Sequence, residues 1–329
     1  MKTRIALFLI LLMTMTSLVG VTASAETVHL RYAELDVAEN LLTVDARYFA
    51  ERVNALSEGR ITIDIYDNAQ LGAEKEAVQA TQMGTIDICR ATCPLLADFN
   101  MPMLNVLGLP YVFVNRDHCW RVLDSEIGDM LRAYPQQQNT GMVGLWFAEE
   151  GTRSLITTEG PVTTIDQLKG RKIRANNASL MIDTVNAMGA SAVPMAYTEV
   201  YTSLMSGIIE GLENIAAGYN VASYYEVAPY YALTRHITSC ILVVMNEDSW
   251  NRLSDEDRQI IRQASADTEQ FARKAAQEYE DRAMQELTEK GVKINEVDDI
   301  DEWIEAVKPV QQKYGAGYED LIAQIDGMR

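Results

Sequence analysis

A few side chains in this sequence have the chemistry to hold a small organic acid. Arg174 closes the run Gly170-Arg171-Lys172-Ile173-Arg174, and Glu213-Asn214 closes the later run Glu210-Gly211-Leu212-Glu213-Asn214. A guanidinium presents a planar fork of donors that matches a carboxylate bidentately, which an ammonium does not. Arg153 follows a glycine turn in Glu150-Gly151-Thr152-Arg153 and offers a second cation. Asn214 both donates and accepts through one amide. Tyr197 and the group Tyr219, Tyr224, Tyr225, Tyr230 and Tyr231 have faces that a sugar ring stacks on, with core packing as their commoner use. In a chain of net charge −19 these cations stand out. An internal ion pair is the alternative use of Arg174, and a surface position that of Arg153.

Other chemistries find no support. There is no Gly-x-Ser-x-Gly elbow, no phosphate-binding glycine loop and no Gly-x-Gly-x-x-Gly fingerprint, so an enzyme is not expected. His29, His118 and His236 form no ligand spacing with one another or with cysteine, and no metal or other cofactor is expected. Cys89, Cys93, Cys119 and Cys240 are too scattered for a disulfide framework, although Cys89 and Cys93 are near enough in sequence to pair. Free buried thiols are the alternative. Excess acid argues against nucleic acid and anionic membrane surfaces as partners.

The elements that must position these residues alternate between strand and helix. Residues 28–34 and 61–66 alternate like strands, and residues 42–56 and 74–83 carry helical spacing. Residues 85–90 make a third strand. Such a βαβαβ series predicts a parallel sheet covered by helices, with ligands at the carboxyl ends of its strands. Glu34 and Arg90 fall at two such ends. A second series follows, with strands over 143–147, 171–174 and 191–195, and helices over 164–168, 198–205 and from an Asn176 or Asn177 cap to 188. Two α/β units in succession predict two lobes with a cleft between them. The last third reads as mostly helical, with Ser254 and Asp257 opening one very long helix or two helices broken near Ser265 or Asp267.

The N-terminus reads as an export signal. Lys2 and Arg4 precede an apolar run over 5–21, and Ala23-Ser24-Ala25 suits cleavage before Glu26. The uninterrupted apolar part is shorter than the roughly 20 residues of a membrane span. Cleavage leaves 26 basic residues against 47 acidic ones in a mature chain sized for two cores.

Taken together these residues resemble the solute-binding proteins of tripartite ATP-independent periplasmic (TRAP) transporters, over essentially the whole mature chain. The resemblance is carried by Asn68-Ala69-Gln70-Leu71-Gly72, Gly84-Thr85-Ile86-Asp87, Leu109-Pro110-Tyr111, Asp166-Gln167-Leu168-Lys169-Gly170-Arg171-Lys172-Ile173-Arg174, Met188-Gly189-Ala190, Pro194-Met195-Ala196-Tyr197-Thr198-Glu199-Val200-Tyr201 and Glu210-Gly211-Leu212-Glu213-Asn214. It implies an α/β periplasmic-binding-protein-like fold with two lobes, a cleft between them and a long helix spanning both. Residues 1–25 would be the signal peptide. Residues 26–150 with about 240–279 would form the first lobe, and 151–239 with about 280–329 the second.

The resemblance also assigns roles. Arg174 would pair with the substrate carboxylate, Arg153 and Asn214 would add contacts, and Tyr197 would line the pocket. Glu34, Arg90 and Glu74 would select the rest of the ligand. A uronate or related sugar acid is the expected ligand, with C4-dicarboxylates the runner-up and sialate a more distant option. The protein would be a periplasmic monomer that delivers its ligand to membrane permease subunits. An exported sugar-acid enzyme and a sensor component are the competing classes.

Overall fold

The computed structural model describes residues 27–329; the expected export segment and its cleavage point lie outside the described residues. The strands are β1 (Val28–Ala33), β2 (Ile61–Tyr66), β3 (Ile88–Thr92), β4 (Met142–Thr157), β5 (Lys172–Ala175), β6 (Ser191–Pro194), β7 (Gly211–Asn214), β8 (Tyr230–Asn246) and β9 (Lys293–Asn295). They form one sheet in the order β2-β1-β3-β8-β4-β7-β5-β6, with β9 beside β8. Around it lie α1 (Leu41–Leu56), α2 (Glu74–Gln82), α3 (Cys93–Ala97), α4 (Arg116–Leu123), α5 (Glu126–Gln137) and α6 (Ser179–Ala187). Then come α7 (Val200–Met205), α8 (Ala216–Val221), α9 (Glu247–Arg252), α10 (Asp255–Glu289), α11 (Ile300–Gly315) and α12 (Glu319–Asp326).

Parallel units stand at both ends of this sheet, the second with β7 in place of the expected strand over 143–147, which belongs to the antiparallel β4. Strands β1, β2 and β3 pair in parallel, as do β5 with β6 and β7. What joins them departs from the sequence reading. Strand β4 runs far beyond the expected 143–147, and β8 is a long strand where none was expected. The two pair antiparallel over nearly their whole lengths, and they carry the chain from one lobe to the other and back. Both are buried on both faces, so neither shows the apolar-polar alternation that marks a half-exposed strand. β7 was missed for a different reason: four residues are too few to establish a period.

The β4–β8 ladder is irregular where the lobes meet. Its register shifts between Glu149 and Thr152 and again between Arg153 and Leu155. Gly151 sits in the first shift with φ +122°. That conformation is open to glycine, and a Cβ there would lie 3.2 Å from the Glu280 carboxylate. The bulges bend the shared strands and aim Glu150 and Arg153 toward the cleft.

Helix α10 spans both lobes without a break for 35 residues, about 52 Å at 1.5 Å per residue. The Ser254 side chain caps it by accepting from Asp257 N, as expected, and its acidic first turn suits the helix dipole. The helix runs through the alternative break points, where Ser265 and Thr268 satisfy their hydroxyls by donating to carbonyls one turn back, at 2.8 and 2.7 Å. It packs on α1 in the first lobe and α8 in the second. The C-terminal segment does not follow the assignment of 280–329 to the second lobe. Helix α11 packs on both α6 and the turn Pro102–Gly108. Further on, Ile325 O lies 2.7 Å from the His118 ring, and Met328 O accepts from Arg121 at 2.8 Å. Both of those partners belong to α4 in the first lobe.

Candidate functional site

The carboxyl ends of both parallel units converge on one cleft, where open α/β sheets place their ligands. From the first lobe it is lined by Asp36, Glu74, Arg90 and Thr92. From the second it is lined by Arg153, Arg174, Asn176, Tyr197, Asn214 and Gly218. The lobes touch across it, with Asn176 Nδ2 3.4 Å from Thr92 Oγ1 and Ser179 N donating to Asp98 at 2.8 Å. The cavity between them is about 60 Å³, room for several waters. Asn176 does not cap α6 as expected: its Oδ1 accepts from Ala178 N at 3.1 Å, closing a turn ahead of the helix.

The three cleft arginines differ in how their charge is met. Arg90, in β3, gives Nε and Nη2 to Glu34 Oε1 at 3.0 and 2.8 Å and also pairs with Asp36. Burial opposes its charge, but the Glu34 and Asp36 carboxylates more than offset that and hold its pKa well above the ordinary value. Arg153, in β4, donates to Glu213 O at 2.9 Å and grips the Glu213 carboxylate. Burial again works against the cation and Glu213 outweighs it, raising the pKa.

Arg174, in β5, is the exception. Its Nε and Nη2 donate only to the Met195 carbonyl, at 3.2 and 3.0 Å. Among the described residues no carboxylate lies within ion-pair distance of it, although its side chain is buried. Burial therefore lowers its pKa; Arg153 adds to that, and Glu213 opposes it only in part. The Tyr197 ring lies 6.0 Å from the guanidinium carbon. Arg174 is thus a desolvated cation held at the cleft by a carbonyl and lacking a counter-ion.

The remaining expected residues divide between lining and support. Asn214, at the end of β7, accepts from Ile215 N at 2.9 Å through Oδ1, while its buried Nδ2 has no partner. That donor faces Gly218, where a Cβ would come within 2.9 Å of it. Tyr197 donates to Gly218 O at 3.3 Å and sits edge-on to Tyr224. Glu74, at the start of α2, accepts from Thr92 N at 2.8 Å. Glu34 is brought near the site but not onto its wall: it lies behind Arg90 and also accepts from Asp36 N at 2.9 Å. Tyr219, Tyr224 and Tyr231 are packed in the second lobe's core.

Sequence reasoning did not single out Asp36 or Glu150, which line the cleft, and it named Glu213 only beside Asn214 and not as the partner of Arg153. Burial pushes the Asp36 carboxyl up to about 7, with Glu34 and Glu150 adding to the rise and Arg90 opposing it. Burial also raises Glu150, whose Oε2 accepts from Ser239 at 2.8 Å. Behind Glu213, burial holds His236 down to about 4, so at neutral pH the ring is uncharged and its 3.9 Å approach to Glu213 is not an ion pair. The four cysteines are free, and Cys89 and Cys93 are not bonded. Among the described residues no cluster of His, Cys, Asp or Glu has the makings of a metal site, and no helix is long and apolar enough to cross a membrane.

The family model for bacterial extracellular solute-binding protein, family 7 (DctP) matches residues 35–317. A solute-binding protein of Chromohalobacter salexigens is 36% identical over 280 residues, covering 83% of this chain and 80% of that protein. The crystal structure of a TRAP periplasmic solute-binding protein from Pseudomonas putida F1, with bound D-glucuronate, superposes with a TM-score of 0.88. It is 29% identical and covers 91% of this chain and 97% of that one. A TRAP periplasmic solute-binding protein from a Bradyrhizobium species, in complex with α/β-D-galacturonate, gives a TM-score of 0.86 at 30% identity, covering 90% and 99%. With the cleft lying between two lobes of this fold, the chain belongs to the family 7 (DctP) extracellular solute-binding proteins, the solute receptors of TRAP transporters.

Proposed function

We propose that this receptor captures a hexuronate, or a closely related sugar acid carrying one carboxylate, in the periplasm and delivers it to TRAP membrane permease subunits. The observation that carries the reading is the charge pattern of the cleft. Arg90 is saturated by Glu34 and Asp36, and Arg153 by Glu213, which leaves Arg174 as the one cleft arginine without a carboxylate. One uncompensated guanidinium suits one ligand carboxylate. A C4-dicarboxylate would bring a second charge to a wall already supplied with Asp36, Glu74 and Glu150.

Those same groups suit a polyhydroxylated ring. Asp36, Glu74 and Glu150 accept from hydroxyls, and the unpartnered Asn214 Nδ2 donates to a ligand oxygen. Tyr197 covers the guanidinium and offers a face to the ring. The bound D-glucuronate and galacturonate of the structural neighbours support this reading. Arg153, Asn214, Arg90, Tyr197 and Glu74 then act at the ligand or its first neighbours, and Glu34 acts by fixing Arg90. Closure requires only that the ligand bind the closed arrangement better than the open one.

A thermal-shift panel of uronates, aldonates, C4-dicarboxylates and sialate tests the ligand class. Uronates should give the largest stabilisation, a rise that grows with ligand concentration as mass action demands. Stabilisation by dicarboxylates alone would overturn the substrate assignment and leave the receptor class standing. Catalytic turnover of a uronate by the purified protein would overturn the receptor reading itself.

A further inference from the structure

Two cysteines far apart in sequence meet inside the first lobe. Cys119 Sγ, on α4, lies 3.4 Å from Cys240 Sγ, on β8, and the two are 121 positions apart in the chain. Both are buried, at 0% and 2% exposure, within one apolar cluster that also holds Cys93. Helix α4 is held firmly over the strand pair. Asn115 caps it by accepting from His118 N at 2.8 Å, and Arg116 pairs with Glu149 and Glu280. Glu149 is the residue paired with Cys240 across the β4–β8 ladder. The two sulfurs are therefore fixed against each other by the surrounding fold.

We propose that Cys119 and Cys240 form a disulfide in the exported protein. The sulfurs need to approach by about 1.4 Å to reach the bonding distance of about 2.0 Å. An exported oxidant carrying a reactive disulfide supplies the electron balance. One cysteine thiolate attacks that disulfide to give a mixed disulfide and release one oxidant thiol. The second thiolate then displaces the other, forming the Cys119–Cys240 bond. Two electrons and the two cysteine protons pass to the oxidant, which ends as a dithiol.

Both sulfurs are closed off from solvent in the folded chain, and burial pushes the Cys119 thiol up, so the exchange takes place while the chain is folding, before the cluster closes. The position of the bond gives it a purpose. The chain leaves the first lobe along β4 and returns along β8, so the segment between the two cysteines contains β5, β6 and β7, the whole parallel unit of the second lobe. The bond would staple the exit and the return together on the first-lobe side, closing a loop long enough for a large constraint on the unfolded chain.

The test uses full-length protein purified from an oxidising compartment, unfolded without reductant and alkylated. Two of the four thiols should react, and peptide mapping should recover Cys119 joined to Cys240. Reductant should lower the unfolding temperature by about 5 °C or more. Cys89→Ser should keep that sensitivity and Cys119→Ser should abolish it. Four alkylated thiols, or a bond mapped from Cys240 to Cys93, would overturn the proposal. Mapping on the unsubstituted protein decides the matter even if Cys119→Ser fails to fold.

Discussion

Replacing Arg174 with alanine should weaken binding of a uronate by about two to four orders of magnitude. The substitution leaves the ligand carboxylate in a closed cleft without its charged partner, and breaking a buried pair this way costs about 3–5 kcal/mol. The cation–π contact with Tyr197, at the 6.0 Å edge of such contacts, contributes about 2 kcal/mol, less than the ion pair. The fold should tolerate the change, because Arg174 has no carboxylate to orphan and gives up only its bonds to the Met195 carbonyl. Titration calorimetry checks it. An affinity within threefold of the parent would remove Arg174 from the site.

Glu213→Ala should have the opposite profile, with a large effect on stability before any on ligand chemistry. Glu213 is fully buried and is the counter-ion that Arg153 grips. Its removal leaves a buried guanidinium uncompensated, at a cost of about 3–5 kcal/mol. Against a total stability of about 5–15 kcal/mol, that brings the protein near its threshold. Glu213→Gln keeps one acceptor oxygen for the Arg153 donors and should cost less. Denaturant unfolding measures both, and a loss under about 1 kcal/mol for Glu213→Ala would contradict the ion-pair account. The glutamine variant also frees a second cation in the cleft, so its preference should move toward dicarboxylates relative to the parent.

These two residues show what the sequence made legible and what it hid. Arg174 stood out because of its type, its place at a strand end and the acidity of the rest of the chain, which left anion capture and an internal ion pair as its two uses. Its lack of a counter-ion was not readable, because that depends on which arginines have already been paired. Glu34 and Asp36 lie more than fifty positions before Arg90, and Glu213 sixty after Arg153. No local pattern records such pairings. For the same reason Glu34 was expected on the cleft wall, whereas the fold uses it to hold Arg90.

The fold was legible where one face of an element meets solvent. Helix α1 and strand β2 matched their expected ranges closely, because half-burial leaves a period of 3.6 or 2 in the sequence. Strands β4 and β8 are buried on both faces and carry no such period, so the pair that joins the lobes was only partly seen. The cysteines repeat the lesson. Nearness in sequence suggested Cys89 with Cys93, whereas the topology brings Cys119 to Cys240.

The central claim is that one uncompensated guanidinium selects one carboxylate. The most direct measurement is a double-difference titration of D-glucuronate and D-glucose, which differ at the carboxyl carbon, against the parent and Arg174→Ala proteins. The parent should prefer glucuronate by at least about a thousandfold, and the variant should lose most of that preference. A parent that binds glucose as well as glucuronate, or a preference that survives undiminished in the variant, would contradict the account.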